Sequence, residues 1–250
     1  MTGTLNISTY CIKVLITVLI TVLITACTGS GMMDEVGEER DLGQETELKE
    51  LIEISFDSMQ ISKTSKMLDE KLYWQLIARS IKASTSLEDQ EKWLISELRK
   101  QPTEKIIGFK LRTHKLLIDS YNSDLWCAGY IMNGGCSDDC FEYFRCWIIS
   151  RGREIFNNSK TNPDYLINEV NAGDVISGIK VYEFEGLLNV AGTAFSQKTG
   201  KDIYDYIDYA GLDASEDVYG QLKIRWSEED PESMRKLCPV LYEKFFKSTP

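Results

Sequence analysis

The chain folds around one stretch, Asn133-Gly134-Gly135-Cys136-Ser137-Asp138-Asp139, which ends one helix and starts the next. The two glycines supply the positive φ angles that a helix C-terminus favours. Ser137 is a preferred N-cap residue, and the two aspartates occupy the first turn, where the macrodipole favours negative charge. The stretch therefore predicts two helices joined by a tight turn at the centre of the chain.

Apolar residues recur at helical intervals on both sides of this turn. They predict a single compact all-α domain of about seven to nine helices, with strand signals only around residues 175–181. The expected helix boundaries are a capping box that begins at Thr85, an N-cap at Thr103, a helix end at Gly200, and first-turn prolines at Pro231 and Pro239.

The composition is that of a globular and acidic chain. Of its 250 residues, 43% are hydrophobic. The chain has 28 basic and 39 acidic side chains, which gives a formal net charge of -11. Such a charge repels phosphate backbones, so we expect no nucleic-acid partner. The one histidine, His114, excludes any site that needs two imidazoles, and a surface histidine is a better interpretation of it than a general base.

The N-terminus has the pattern of a secretory signal. Lys13 is followed by an apolar run, Val14 to Ala26, which as a helix would span about 20 Å. That length is short of the roughly 30 Å hydrocarbon core of a bilayer. A cation, a short apolar stretch and a small residue at its end are typical of a cleaved signal peptide.

The end of this run, Ile24-Thr25-Ala26-Cys27, resembles a bacterial lipobox. The resemblance implies cleavage before Cys27 and lipidation of its thiol, which would make the membrane a partner of the mature chain. An uncut membrane anchor and a chance cysteine after a buried helix are the competing interpretations. Thr28 follows the cysteine, and the absence of aspartate there implies the outer membrane if the cell is Gram-negative.

We therefore divide the chain into a lipoprotein signal peptide (1–26), an acidic tether (27–66) and a helical domain (67–250). The tether combines scattered glycines with an excess of acidic residues, a composition that favours a solvated linker.

Five of the seven cysteines remain after Cys11 is removed and Cys27 is lipidated. They are Cys127, Cys136, Cys140, Cys146 and Cys238. Export allows disulfides to persist, and the odd number leaves at least one thiol free or paired with another chain. The spacing of Cys136 and Cys140 lies within the zinc range, but a second close pair is missing. We expect structural packing or one disulfide, with no metal and no cofactor.

The central sequence pattern is distinctive. It comprises Asp124-Leu125-Trp126, Ala128, Tyr130-Ile131, the opening stretch, Phe141, Tyr143-Phe144-Arg145, Trp147-Ile148-Ile149, Gly152-Arg153, Phe156, Pro163-Asp164 and Leu166. It resembles the bacterial family called domain of unknown function 4240, over roughly residues 69–200, with 201–250 as a C-terminal helical extension. Cys140 and Cys146 depart from the pattern, where a small residue is expected. The resemblance implies a fold but no established activity.

Charged residues around the central turn are the candidate site. Asp138 and Asp139 could bind a cation or polarise a ligand in a cleft between the fourth and fifth helices, where Arg145 or Arg153 could hold an anionic group. The candidate ligand-binding residues are Trp126, Tyr130, Asn133, Asp138, Asp139, Arg145 and Arg153. The alternative, which the spacing favours, is dipole compensation on a solvated helix face.

Two functions are compatible with these features. The preferred hypothesis is a lipid-anchored module that binds an envelope protein or small ligand without chemistry. The alternative is a carboxylate- or metal-dependent hydrolase that uses Asp138, Asp139 and Arg145.

Overall fold

Helices account for most of the residues that the computed structural model describes, which are 60–176, 179–212 and 222–246. Within these ranges there are nine α-helices. They are α1 (Glu70–Ala83), α2 (Leu87–Arg99), α3 (Thr103–Asp119), α4 (Ser123–Asn133), α5 (Asp138–Ser150), α6 (Arg153–Thr161), α7 (Gly186–Thr199), α8 (Pro231–Leu237) and α9 (Pro239–Phe245). Short 3-10 helices cover Pro163–Glu169, Ile203–Tyr206 and Tyr209–Gly211. The predicted all-α domain is confirmed.

One small antiparallel hairpin interrupts the helices. Strand β1 (Asp174–Ile176) pairs with β2 (Ile179–Val181). It lies in the segment around residues 175–181 that carries the predicted strand signal, and it is the one sheet within the described ranges.

Helix α5 lies in the middle of the hydrophobic core. Its apolar side chains are fully buried, among them Phe141, Phe144 and Trp147. Helix α7 packs along α2 and α3, and α1 packs against α2. The core is therefore built from helix faces that carry apolar residues three and four positions apart, as the sequence predicts.

The central turn forms as expected. Gly134 ends α4 in the left-handed conformation with φ 71°, and Gly135 follows with φ 136°. Ser137 caps α5 by accepting a hydrogen bond from the Cys140 amide. Because L side chains rarely adopt such φ angles, the two glycines are the residues that allow α4 and α5 to meet here.

Two of the predicted caps are wrong by one residue. Ser86, rather than Thr85, caps α2, and its hydroxyl accepts from the Asp89 amide. Helix α3 begins at Thr103 after Pro102 and has no side-chain cap. In each case the residue next to the expected cap has the extended backbone that an N-cap requires.

The last residues of the predicted tether contact the helical domain. The Thr64 amide donates to the Tyr206 carbonyl at 3.1 Å, and the Asp208 amide donates to the Thr64 carbonyl at 3.0 Å. The predicted signal peptide, the lipidation site at Cys27 and the tether up to residue 59 lie outside the described residues.

The C-terminal extension packs on α4. The Trp226 indole donates to the Ser123 carbonyl at 3.0 Å, and Asp164 accepts from the first amides of α9. No helix in the described ranges has the length and apolarity needed to cross a bilayer.

Candidate functional site

Asp138 and Asp139 lie side by side at the exposed N-terminus of α5. Their position matches the alternative in which they compensate the helix macrodipole. Among the described residues, no group of three or more His, Cys, Asp or Glu side chains is arranged to hold a metal ion. The two carboxylates are thus brought together by the first turn of one helix rather than by a cleft.

Arg145 is buried, with only 1% of its surface exposed. Its guanidinium donates to the Leu117 carbonyl at 2.6 Å and to the Phe141 carbonyl at 3.2 Å. It also lies over the ring of Tyr121, at 5.0 Å from the centroid, and over the ring of Phe141, at 4.6 Å. These contacts tie α5 to α3, so the charge is used in packing.

Arg153 lies beyond the other end of α5. Its guanidinium is 61% exposed and pairs with Glu70 of α1 at 3.3 Å. Since a helix of 13 residues is about 20 Å long, Arg153 is far from the aspartates at the N-terminus of α5. The structure does not bring the two together.

The two candidate aromatic residues of α4 contact other rings. Trp126 stacks on Phe141 at 4.8 Å between centroids, and its indole donates to the Cys136 carbonyl at 2.9 Å. Tyr130 packs against Trp226 at 5.2 Å. Partial burial, and then a hydrogen bond to Glu228, raise the pKa of Tyr130 above its usual value.

Asn133 connects the end of α4 to the hairpin. Its side-chain oxygen accepts from the Tyr182 amide at 2.9 Å, and its amide group contacts the Cys140 sulfur at 3.6 Å. Asn133 therefore fixes the segment that follows β2.

Of the two expected roles for the cysteines, packing and a disulfide, the structure shows both. Cys136 and Cys140 are bonded across the start of α5, with their Cα atoms 5.1 Å apart. The other cysteines of the described residues, Cys127, Cys146 and Cys238, are buried thiols. Burial raises the pKa of Cys146, which keeps this thiol protonated and unreactive at neutral pH.

A polar cavity of about 280 Å³ lies between α3, α5 and α7. His114 is exposed at this cavity, together with Lys110 and Glu142. The Lys110 ammonium already donates to the Leu188 carbonyl at 3.0 Å and lies 5.4 Å from the ring of Tyr204. The polar groups here hold helices together, so we do not place the site in this cavity.

A second cavity, of about 350 Å³, opens between α1, the C-terminal end of α2 and the first turn of α3. Four leucines form its apolar wall: Leu68, Leu72, Leu76 and Leu98. Leu98 is fully buried at the base, whereas Leu72 is 42% exposed at the mouth. An apolar wall with a few polar groups at the mouth is typical of sites for small molecules.

Three cations stand at the rim of this α1–α2 cavity: Arg79, Lys82 and Lys105. Arg79 pairs with Glu97 at 3.0 Å and lies 5.2 Å from the ring of Trp93. Hydrogen bonding from Lys100 lowers the pKa of Glu97, so this carboxylate stays charged. Of the described residues, none forms an ion pair with Lys82 or Lys105.

The sequence analysis missed the α1–α2 cavity. Positions 72, 75, 76 and 79 form a second stripe on α1, beside the stripe that faces the core. Leu72 is the available sequence signal, because it is an apolar residue that lies outside the buried face of α1. Only the packing of α1 against α2 shows that the stripe borders an open cavity.

The comparisons with known proteins assign the chain to a family and add no activity. The family described as "Protein of unknown function (DUF4240)" matches residues 68–197, which is more than half of the chain. No curated protein and no solved structure matches the chain. The chain belongs to the DUF4240 family. The match covers α1 to most of α7, and so it contains every residue that lines the α1–α2 cavity.

Proposed function

We propose that this DUF4240 protein is a lipid-anchored module of the cell envelope that binds an apolar ligand in the α1–α2 cavity and performs no chemistry on it. The observation that carries the proposal is the cavity of about 350 Å³ with its leucine wall and polar mouth. Ligand pockets in proteins commonly have volumes of about 300–1,000 Å³. An exposed leucine at the mouth is then a contact surface for the ligand.

The anchor is the second part of the proposal. The apolar run that ends at Cys27 supports export and lipidation, with the outer membrane as the location in a Gram-negative cell. Several acyl chains on one cysteine give stable attachment, because each buried methylene contributes roughly 0.8 kcal/mol. Mass spectrometry of the mature chain tests this part. We expect a diacylglyceryl group on an N-terminal Cys27, and an intact unmodified chain would contradict it.

The cavity is tested by photolabelling of the full chain in phosphatidylcholine vesicles. The probe is dodecanol that carries a diazirine on its alkyl chain. We expect adducts on the peptide that contains Leu72 and Leu76, and adducts found only elsewhere would contradict the proposal. Ala78→Trp fills the cavity and should remove these adducts. Ala83→Trp, on the same helix but not on the cavity wall, is the matched control.

The hydrolase alternative would use Asp138, Asp139 and Arg145. The contacts of these residues do not favour it, because Arg145 is engaged by two carbonyls and two rings while the aspartates face solvent. We therefore put forward the binding module alone.

A further inference from the structure

The rim of the α1–α2 cavity carries positive charge, and an uncharged ligand would form no ion pair with it. Lys82 is exposed in the last turn of α1, and Lys105 is exposed in the first turn of α3. Both side chains belong to the cavity. The chain as a whole has a formal net charge of -11, whereas these two residues place positive charge beside the apolar cavity.

The third cation at the rim is not available to a ligand. Arg79 is occupied by Glu97, and Lys100 holds the same carboxylate from the other side. Lys82 and Lys105 have no such carboxylate within the described ranges. Charge complementarity therefore favours a ligand with a negative group that pairs with Lys82 or Lys105.

The start of α3 adds to this preference. No side chain caps this helix, and its N-terminal end carries the positive pole of the macrodipole, which Glu104 in the first turn partly compensates. Gln101 and Lys105, on either side of the first residues of α3, both belong to the cavity. An anion at this edge would face both a lysine and the positive end of a helix of 17 residues.

The volume limits the apolar part of the ligand. Since a water molecule takes about 30 Å³ in the liquid, the cavity holds roughly a dozen groups of that size. A single alkyl chain of medium length has a comparable volume. The leucine wall provides the apolar contacts along such a chain.

We propose that the ligand of the α1–α2 cavity is a single-chain fatty carboxylate, with its alkyl chain against the leucine wall and its carboxylate paired with Lys82 or Lys105. This inference rests on the proposed function and specifies the chemical class of the ligand. The carboxylate would form an ion pair at the partly exposed rim, while the buried alkyl chain would supply most of the affinity.

The test compares two photolabels of equal length on the full chain in phosphatidylcholine vesicles at pH 8. One is dodecanoate with a diazirine on its chain, and the other is the matched dodecanol. Adducts on the peptide with Leu72 and Leu76 are divided by the label incorporated in the whole sample. We expect the carboxylate to label this peptide up to about fivefold more than the alcohol, as one exposed ion pair allows.

The variants separate the two lysines from a general charge effect. Lys82→Gln combined with Lys105→Gln should abolish the preference, so that the carboxylate and the alcohol label the peptide equally. Lys223→Gln combined with Lys236→Gln changes the net charge equally at exposed positions that do not line the cavity, and should keep the preference.

Each remaining outcome overturns one specific statement. Equal labelling of the cavity by both probes in the unsubstituted chain overturns the claim that the ligand is a carboxylate, while the proposed function stands. A preference that survives in the Lys82 and Lys105 double variant overturns the assigned rim. An absence of cavity adducts with either probe overturns the proposed function itself.

Discussion

Replacement of Gly108 by alanine should destabilise this protein, although the same change in an open helix is stabilising. Gly108 lies inside α3, where the chain that leads into α1 crosses the helix. The Leu68 amide donates to the Gly108 carbonyl at 2.8 Å. A Cβ atom on Gly108 would lie 2.7 Å from the Leu68 nitrogen and 3.0 Å from the Lys66 carbonyl oxygen.

Two effects of opposite sign determine the magnitude. Alanine in place of glycine within a helix gains roughly 0.5–1 kcal/mol of stability. Against this, overpacking against main-chain atoms costs about 1–3 kcal/mol, and a lost main-chain hydrogen bond costs about 1 kcal/mol more. We therefore expect Gly108→Ala to lower the free energy of unfolding by about 1–3 kcal/mol. The melting temperature should fall by several degrees.

Urea denaturation of the full chain, followed by circular dichroism, measures this change. The matched control is Gly192→Ala in α7, where the new Cβ would meet only a methyl group of Ile203 at 3.8 Å, an ordinary contact. The control should gain about 0.5–1 kcal/mol. The reasoning is refuted if Gly108→Ala is as stable as the unsubstituted chain or stabilises it as the control does.

Further substitutions test the roles assigned to other charged residues. Arg145→Ala should lower the unfolding free energy by about 3 kcal/mol, because two carbonyls lose their charged donor, and urea midpoints would reveal a smaller cost if the guanidinium were a solvent-facing ligand group. Asp138→Asn and Asp139→Asn should each lower the free energy of unfolding by about 0.3–1 kcal/mol, because each removes a negative charge that compensates the helix macrodipole. Neither change should alter labelling by dodecanoate; a loss of labelling would show that the aspartates belong to the ligand site. Burial, and then neighbouring negative charges including Glu185, raise the pKa of Glu91, so this carboxyl binds its proton more tightly when folded. Its contribution to stability should therefore increase as the pH falls through the folded pKa, and Glu91→Gln should stabilise the chain at pH 7 but not near pH 4; an equal gain at both pH values would contradict the assignment.

The helices and their ends were predictable where local rules decide them. The two glycines of the central turn, the Ser137 cap and the first-turn prolines of α8 and α9 all follow from the chemistry of single residues. The predicted caps at Thr85 and Thr103 were wrong, because adjacent residues compete for a cap and the backbone geometry selects one.

The candidate site was harder to predict because it depends on contacts between distant segments. Arg145 lies one turn from Glu142 in sequence, yet its guanidinium turns to a carbonyl of α3. Likewise, the sequence shows an apolar stripe on α1 but not that Lys105, more than twenty residues later, borders the same cavity. Such placements arise from tertiary packing, which periodicity along one helix does not specify.

The central claim is that the ligand lies between α1 and α2. A crystal structure of the full chain determined with dodecanoate measures this most directly. The account predicts an alkyl chain in contact with Leu72 and Leu76, and a carboxylate within about 4 Å of the ammonium of Lys82 or Lys105. An empty α1–α2 cavity with dodecanoate bound at another surface would contradict it.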